Sequence, residues 1–210
     1  MESDNCILNP ANCDQGLSFS LFYMPDYTYS DSQMANLDTE FPREYILSSG
    51  GDLGHPGFAI YLQGGTLGVI LSTGSQNWVV EVVGGIPERG KWSNIAARWR
   101  PLNYENLEEM NLRLIQGEKV GNEDFGGLAV FVDLERVGFS HLPDEDSENV
   151  KESLAPPEVL LGCHKTSDNG ETRMFASGSF DEVAIWEYWI NDTVKPYFLG
   201  GYSNTFSFEL

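Results

Sequence analysis

Positive charge is scarce in this chain. Its 210 residues hold 12 Lys and Arg against 32 Asp and Glu, a formal net charge of −20. Such a surface repels phosphate backbones and anionic headgroups, which argues against nucleic acid and against a membrane surface as partner. Cations, basic protein patches and neutral glycans stay open, and the plainer role of the acids is solubility. No apolar run is long enough to span a bilayer. The opening MESDNC is acidic and polar, unlike a signal peptide. The expectation is therefore a cytosolic protein or a mature module of a longer secreted chain. Histidine is nearly absent as well: His55, His141 and His164 lie in separate loop-like contexts, too few and too scattered for a zinc cluster. There is no Gly-x-Ser-x-Gly elbow, no glycine-rich phosphate loop leading into a helix, and no long amphipathic helix.

What remains is strand-forming. Apolar residues make up 41% and aromatics 12%, enough for a folded core, and the length suits one large all-β domain over residues 1–210. The organising stretch is Ser177–Trp189. From Ser179 to Trp186 it alternates with period two, apolar on both parities, which predicts a strand covered on both faces inside a two-sheet sandwich. Other predicted strands are Leu17–Tyr23, Glu44–Ser48, Phe58–Leu62 and Leu67–Leu71 about the turn Gln63–Thr66, Trp78–Val83, Lys91–Trp99, Leu128–Leu134 and Val159–Cys163. Glu135–Gly138 reads as a turn. Pro101–Gly127 follows neither period and reads as a loop insertion (101–127), and Asp144–Glu152 as an acidic solvated loop (144–152). Glu187–Leu199 reads as a short helical turn, and Gly200–Leu210 as a last strand or a linker. Short strands at close intervals with turns between them predict an antiparallel β-sandwich.

Cys6 and Cys13 flank Asn9-Pro10, a turn that brings the sulfurs together and implies an oxidising compartment if they pair. Cys163 is then left as a buried thiol or an intermolecular half-cystine. Asn191-Asp192-Thr193 is a glycosylation sequon that fits secretion.

Several blocks in order, CILNPANCDQGLSFSLFY, YILSSGG, GFAIYLQGGTLGVIL, GKWSNIAARW, LAVFVDLERVG, VLLGCH and SGSFDEVAIWEYWI, resemble the laminin G-like and pentraxin-like jelly rolls of the concanavalin A-like superfamily. The resemblance covers nearly the whole chain. It rests on an opening close to C-x6-C, on Gly90-Lys91-Trp92 before a middle strand, and on the late strand Asp181–Trp186; Phe22-Tyr23 stands where the family usually has Trp. It implies a two-sheet antiparallel jelly roll of the kind found in matrix proteins and in adhesion receptors, including adhesion G-protein-coupled receptors.

The resemblance also implies calcium at the sandwich rim. Asp52 after Gly50-Gly51, Asp124 before Gly126-Gly127, and Asp168-Asn169 before Gly170 offer oxygens beside flexible backbone. Their plainer role is to build turns. Of the aromatics, Tyr27, Tyr29 and Trp78 lie nearest loop ends, where a ring can stack on a sugar or anchor a protein, although most of the tryptophans read as core. Some related folds cleave glycans with two carboxylates ~5–5.5 Å apart. Asp181 and Glu182 point to opposite faces, and Asp181 and Glu187 are roughly 20 Å apart along a strand. The sequence is therefore read as a non-enzymatic recognition and adhesion module. It is expected to be extracellular or at the cell surface and to bind a protein or glycan ligand. The alternatives are a glycan-cleaving enzyme of the same fold, or a spacer that forms homodimers through Cys163 or an exposed terminal strand.

Overall fold

Gly64 and Gly65 both take left-handed backbone, at φ 53° and 90°, the conformation a two-residue hairpin turn needs and L side chains resist. They join β3 (Gly57–Gln63) to β4 (Thr66–Ser72), and the register runs unbroken from Gln63↔Thr66 to Gly57↔Ser72. From this hairpin sheet B extends to β5 (Asn77–Val83) on one side, and to β2 (Glu44–Ser48) and β9 (Leu160–Leu161) on the other, in the order β5-β4-β3-β2-β9. Sheet A holds β1 (Leu17–Pro25), β6 (Ser93–Arg100), β7 (Gly127–Val132), β8 (Glu135–Ser140) and β12 (Gly178–Trp186), ordered β12-β1-β6-β7-β8. A short ribbon pairs β10 (His164–Lys165) with β11 (Thr172–Arg173). The computed structural model describes residues 5–26, 43–51, 55–101, 115–116, 126–143, 158–165, 172–173 and 176–190. Over these the protein is an all-β antiparallel jelly-roll sandwich.

Alternation decides what lies between the sheets. Leu17, Phe19, Leu21 and Tyr23 of β1, with Ile95, Ala97 and Trp99 of β6, meet Phe58, Ile60 and Leu62 of β3 and Leu67, Val69 and Leu71 of β4 in one buried cluster. Two aromatic contacts pin the layers: Phe19 stacks on Phe58 at 4.5 Å, and Trp78 meets Trp99 edge-on at 5.3 Å. Each such ring contributes roughly 1.5–3 kcal/mol through burial alone.

The stretch expected at the centre of the fold sits elsewhere. β12 is an edge strand of sheet A, and its residues are half-buried or exposed. The centre belongs to β1 and β6 in one sheet and β3 and β4 in the other. A bulge explains the misleading pattern: the β1–β12 register shifts between Ser20 and Phe22, and Glu182 takes φ 47°. The shift moves Phe180 to the side of Val183 and Ile185, which pack on the core, while Trp186 joins a second cluster on the outer face. Apolar residues on both parities thus reflect two different coverings of an edge strand.

β8 replaces the turn expected at Glu135–Gly138. The turn is instead Asp133-Leu134, with φ 50° and 71° and no glycine. Asp133 offsets that strain by gripping β6: its N–H donates to the Asn94 carbonyl, and its Oδ1 accepts from the Asn94 N–H, both at 2.8 Å. Leu134 packs against the outer cluster of Ala96 and Ile190. Glu187–Ile190 runs as bends without helix; the remainder of the expected helical turn lies outside the described residues, as do most of the 101–127 insertion, loop 144–152 and residues 200–210.

Candidate functional site

Register places four positions in one line across the outer face of sheet B. Tyr45 pairs with Tyr61, Tyr61 with Gly68, and Gly68 with Glu81. Because Gly68 has no side chain, the Tyr61 ring lies flat across β4; a Cβ there would fall on the ring. The phenol thereby reaches past one strand and donates to Glu81 Oε1 at 2.6 Å. Burial, and after it this hydrogen bond, push the Tyr61 phenol well above its ordinary range, so it remains a donor. Arg43 lies over the same ring at 4.5 Å, and its Nε donates to Gln63 Oε1 at 3.3 Å. Tyr45 and Tyr61 are fully buried, whereas Glu81 is exposed and Val83 is 65% exposed. The arrangement is a carboxylate held at the surface from below, flanked by Val79 and Val83. It can receive a cation, or hydrogen-bond donors such as sugar hydroxyls.

The outer face of sheet A is built differently. Arg98 is buried there between the rings of Phe131 and Trp189, at 4.6 and 4.8 Å, and its Nη1 donates to the Ile190 carbonyl at 2.8 Å. Residues 187–190 return over this face as a strap. Ser18 Oγ donates to the Tyr188 carbonyl and accepts from the Ile190 N–H, and the Trp189 N–H donates to the Gln15 carbonyl. This face is closed.

Of the residues singled out in the sequence, Cys6 and Cys13 are joined in a disulfide, Cα atoms 4.9 Å apart, around a turn where Asn9 accepts from the Ala11 N–H. Trp78 is a correction: it is a core residue at 1% exposure, its Nε1 donating to the His141 carbonyl, so its ring offers no area to a surface ligand. Asp181 is exposed and accepts from the Glu182 N–H, a local bulge contact rather than a buried carboxylate. Cys163 is unbonded and half-buried; burial, then Glu158, raise its thiol above the ordinary range. Asp52, Asp124, Asp168, Asn169, Tyr27, Tyr29 and Asn191 lie outside the described residues. Among the described residues no three His, Cys, Asp or Glu gather as a metal site, and no helix is long and apolar enough to cross a membrane.

Sequence reasoning missed Tyr61, Glu81 and Arg98. The available signal was a lone glycine inside the apolar run Leu67–Leu71 and a lone acid inside WVVEVV.

No family model matches the chain, and no curated protein sequence matches it. Solved structures do. A sialidase CBM40 from Ruminococcus gnavus, bound to α2,6-sialyllactose, aligns with TM-score 0.50 and 14% identity, over 89% of this chain and 84% of that one. The receptor-binding domain of a botulinum neurotoxin C/D mosaic aligns with TM-score 0.50 and 11% identity, over 90% of this chain and 37% of that one. Mouse laminin α1 domains LG4-5 align with TM-score 0.45 and 8% identity, over 82% of this chain and 36% of that one. This chain thus spans most of the first and little more than a third of the other two. At these identities the likeness is one of fold alone, that of a jelly-roll sandwich.

Proposed function

We propose that this protein is a non-catalytic recognition module of a secreted or cell-surface protein, engaging a protein or glycan ligand along the open margin of sheet B. The carrying observation is the Tyr61–Glu81 hydrogen bond, by which a fully buried ring fixes a carboxylate at the surface. Two features support the setting: a Cys6–Cys13 disulfide, which persists in oxidising compartments, and a fold shared with a sialyllactose-bound CBM40 and a toxin receptor-binding domain. Adhesion, a place in a larger receptor, and calcium held by the rim loops of Asp52, Asp124, Asp168 and Asn169 belong to the same proposal.

The test is a screen of immobilised glycans and cell-surface ectodomains, with calcium and with chelator, against the parent chain and Glu81→Ala. The expected result is a ligand whose binding falls at least tenfold in the variant. Equal binding by parent and variant removes the site, and turnover of any glycan by the parent removes the non-catalytic reading. A thermal midpoint unmoved by millimolar calcium disposes of a structural ion.

A further inference from the structure

A sandwich has four strand edges, and three of them here carry the devices that keep edges from pairing. β12 is bulged at Glu182 and exposes Asp181 and Glu182. β8 exposes Glu135 and Arg136 beside a register shift in its pairing with β7. β9 is two residues long. β5 is seven residues long, in unbroken register with β4 from Asn77 to Val83, without bulge, proline or lysine, and Glu81 is its single charged residue.

The direction of its free hydrogen-bonding groups follows from one bond. Gly84 N–H donates to the Gly65 carbonyl at 3.1 Å, and antiparallel ladders alternate. Trp78, Val80 and Val82 therefore bond toward β4, and Asn77, Val79, Glu81 and Val83 turn their N–H and C=O groups to the edge that no other strand occupies among the described residues. Those four residues also place their side chains on the outer face, with Glu81 and Val83 exposed. Asn77 Oδ1 has no hydrogen-bond partner. β8 approaches β5 from the core side, where Gly138 meets Val80, and among the described residues it pairs with β7 and not with β5.

We propose that β5 accepts an added strand from a partner protein: an extended segment with Lys or Arg opposite Glu81 and apolar residues opposite Val79 and Val83. Main-chain bonds supply the binding, and the Glu81 pair sets register and choice of partner. Charge decides the occupant, since two copies of a chain at −20 repel while a basic segment is attracted. This rests on the recognition reading above and names the partner for that margin.

The probe is a capped seven-residue peptide with lysine at its centre, valine two positions to either side and threonine elsewhere; the control has glutamate at the centre. With the full chain, the lysine peptide binds at least tenfold tighter than the control and slows amide exchange at Val79, Glu81 and Val83 at least tenfold. Glu81→Lys reverses the preference. Val79→Pro, which removes an edge-facing N–H where proline is tolerated, abolishes binding; should that variant fail to fold by circular dichroism, Glu81→Lys decides. Equal binding of the two peptides, unchanged exchange, or sedimentation showing a second copy paired through β5 overturns strand addition. If the screen still yields a ligand dependent on Glu81, the recognition reading survives that failure; if it yields none, both fall.

Discussion

The outer faces of the two sheets handle a buried polar group in opposite ways. On sheet A, Arg98 is enclosed because residues 187–190 bring it a carbonyl and a second ring. On sheet B, the buried Tyr61 sends its one donor outward to an exposed carboxylate. A buried group must find a partner in either case. When the partner comes from the chain's own strap the face is sealed, and when it stands in water the face keeps a handle for ligands.

The sharpest way to break that comparison is Arg98→Ala. It leaves the Ile190 carbonyl without its donor and parts the Phe131 and Trp189 rings, and it should cost roughly 3 kcal/mol in urea unfolding. A loss within error would show that the strap closes the face without it. Gly68→Ala comes next: overpacking against the Tyr61 ring costs about 1–3 kcal/mol and should also displace the phenol, so stability and Glu81-dependent binding fall together. Binding unchanged beside reduced stability would detach the site from the ring. Tyr61→Phe removes the hydrogen bond alone, for about 1 kcal/mol because the exposed carboxylate rehydrates; a crystal structure of the variant should show Glu81 in altered rotamers.

The smallest effect concerns the rim. Glu44 has its carboxyl raised by burial and then by Asp26, whose Oδ2 accepts from Ser177 Oγ. A raised folded-state value means that the ionised form opposes folding, and that this opposition fades as pH falls through the carboxylate range. Glu44→Gln should therefore raise the thermal midpoint at neutral pH, by under about 1 °C given solvent screening. The gain should vanish in acid; a gain that grew in acid would reverse the assignment.

Local chemistry was what the sequence showed plainly. Gly64-Gly65 announced the β3–β4 turn, and Asn9-Pro10 the disulfide loop. What it concealed was settled across strands. Asp133-Leu134 turns without glycine because β6 and the outer cluster hold it. β12 looks central because a bulge puts apolar residues on both parities. Tyr61 and Glu81 lie 20 positions apart, and only the three-strand register brings them into one line. The fold class was therefore readable while the candidate site was not.

One practical consequence concerns labelling. Of three cysteines, two are spent on the disulfide, so Cys163 is the single thiol. It follows β9, at the end of sheet B opposite β5, about 19 Å away at ordinary strand spacing. A fluorophore attached there, in mildly alkaline buffer because burial raises its thiol above the ordinary range, would sit within energy-transfer range of a dye on any strand arriving at β5 without obstructing its arrival.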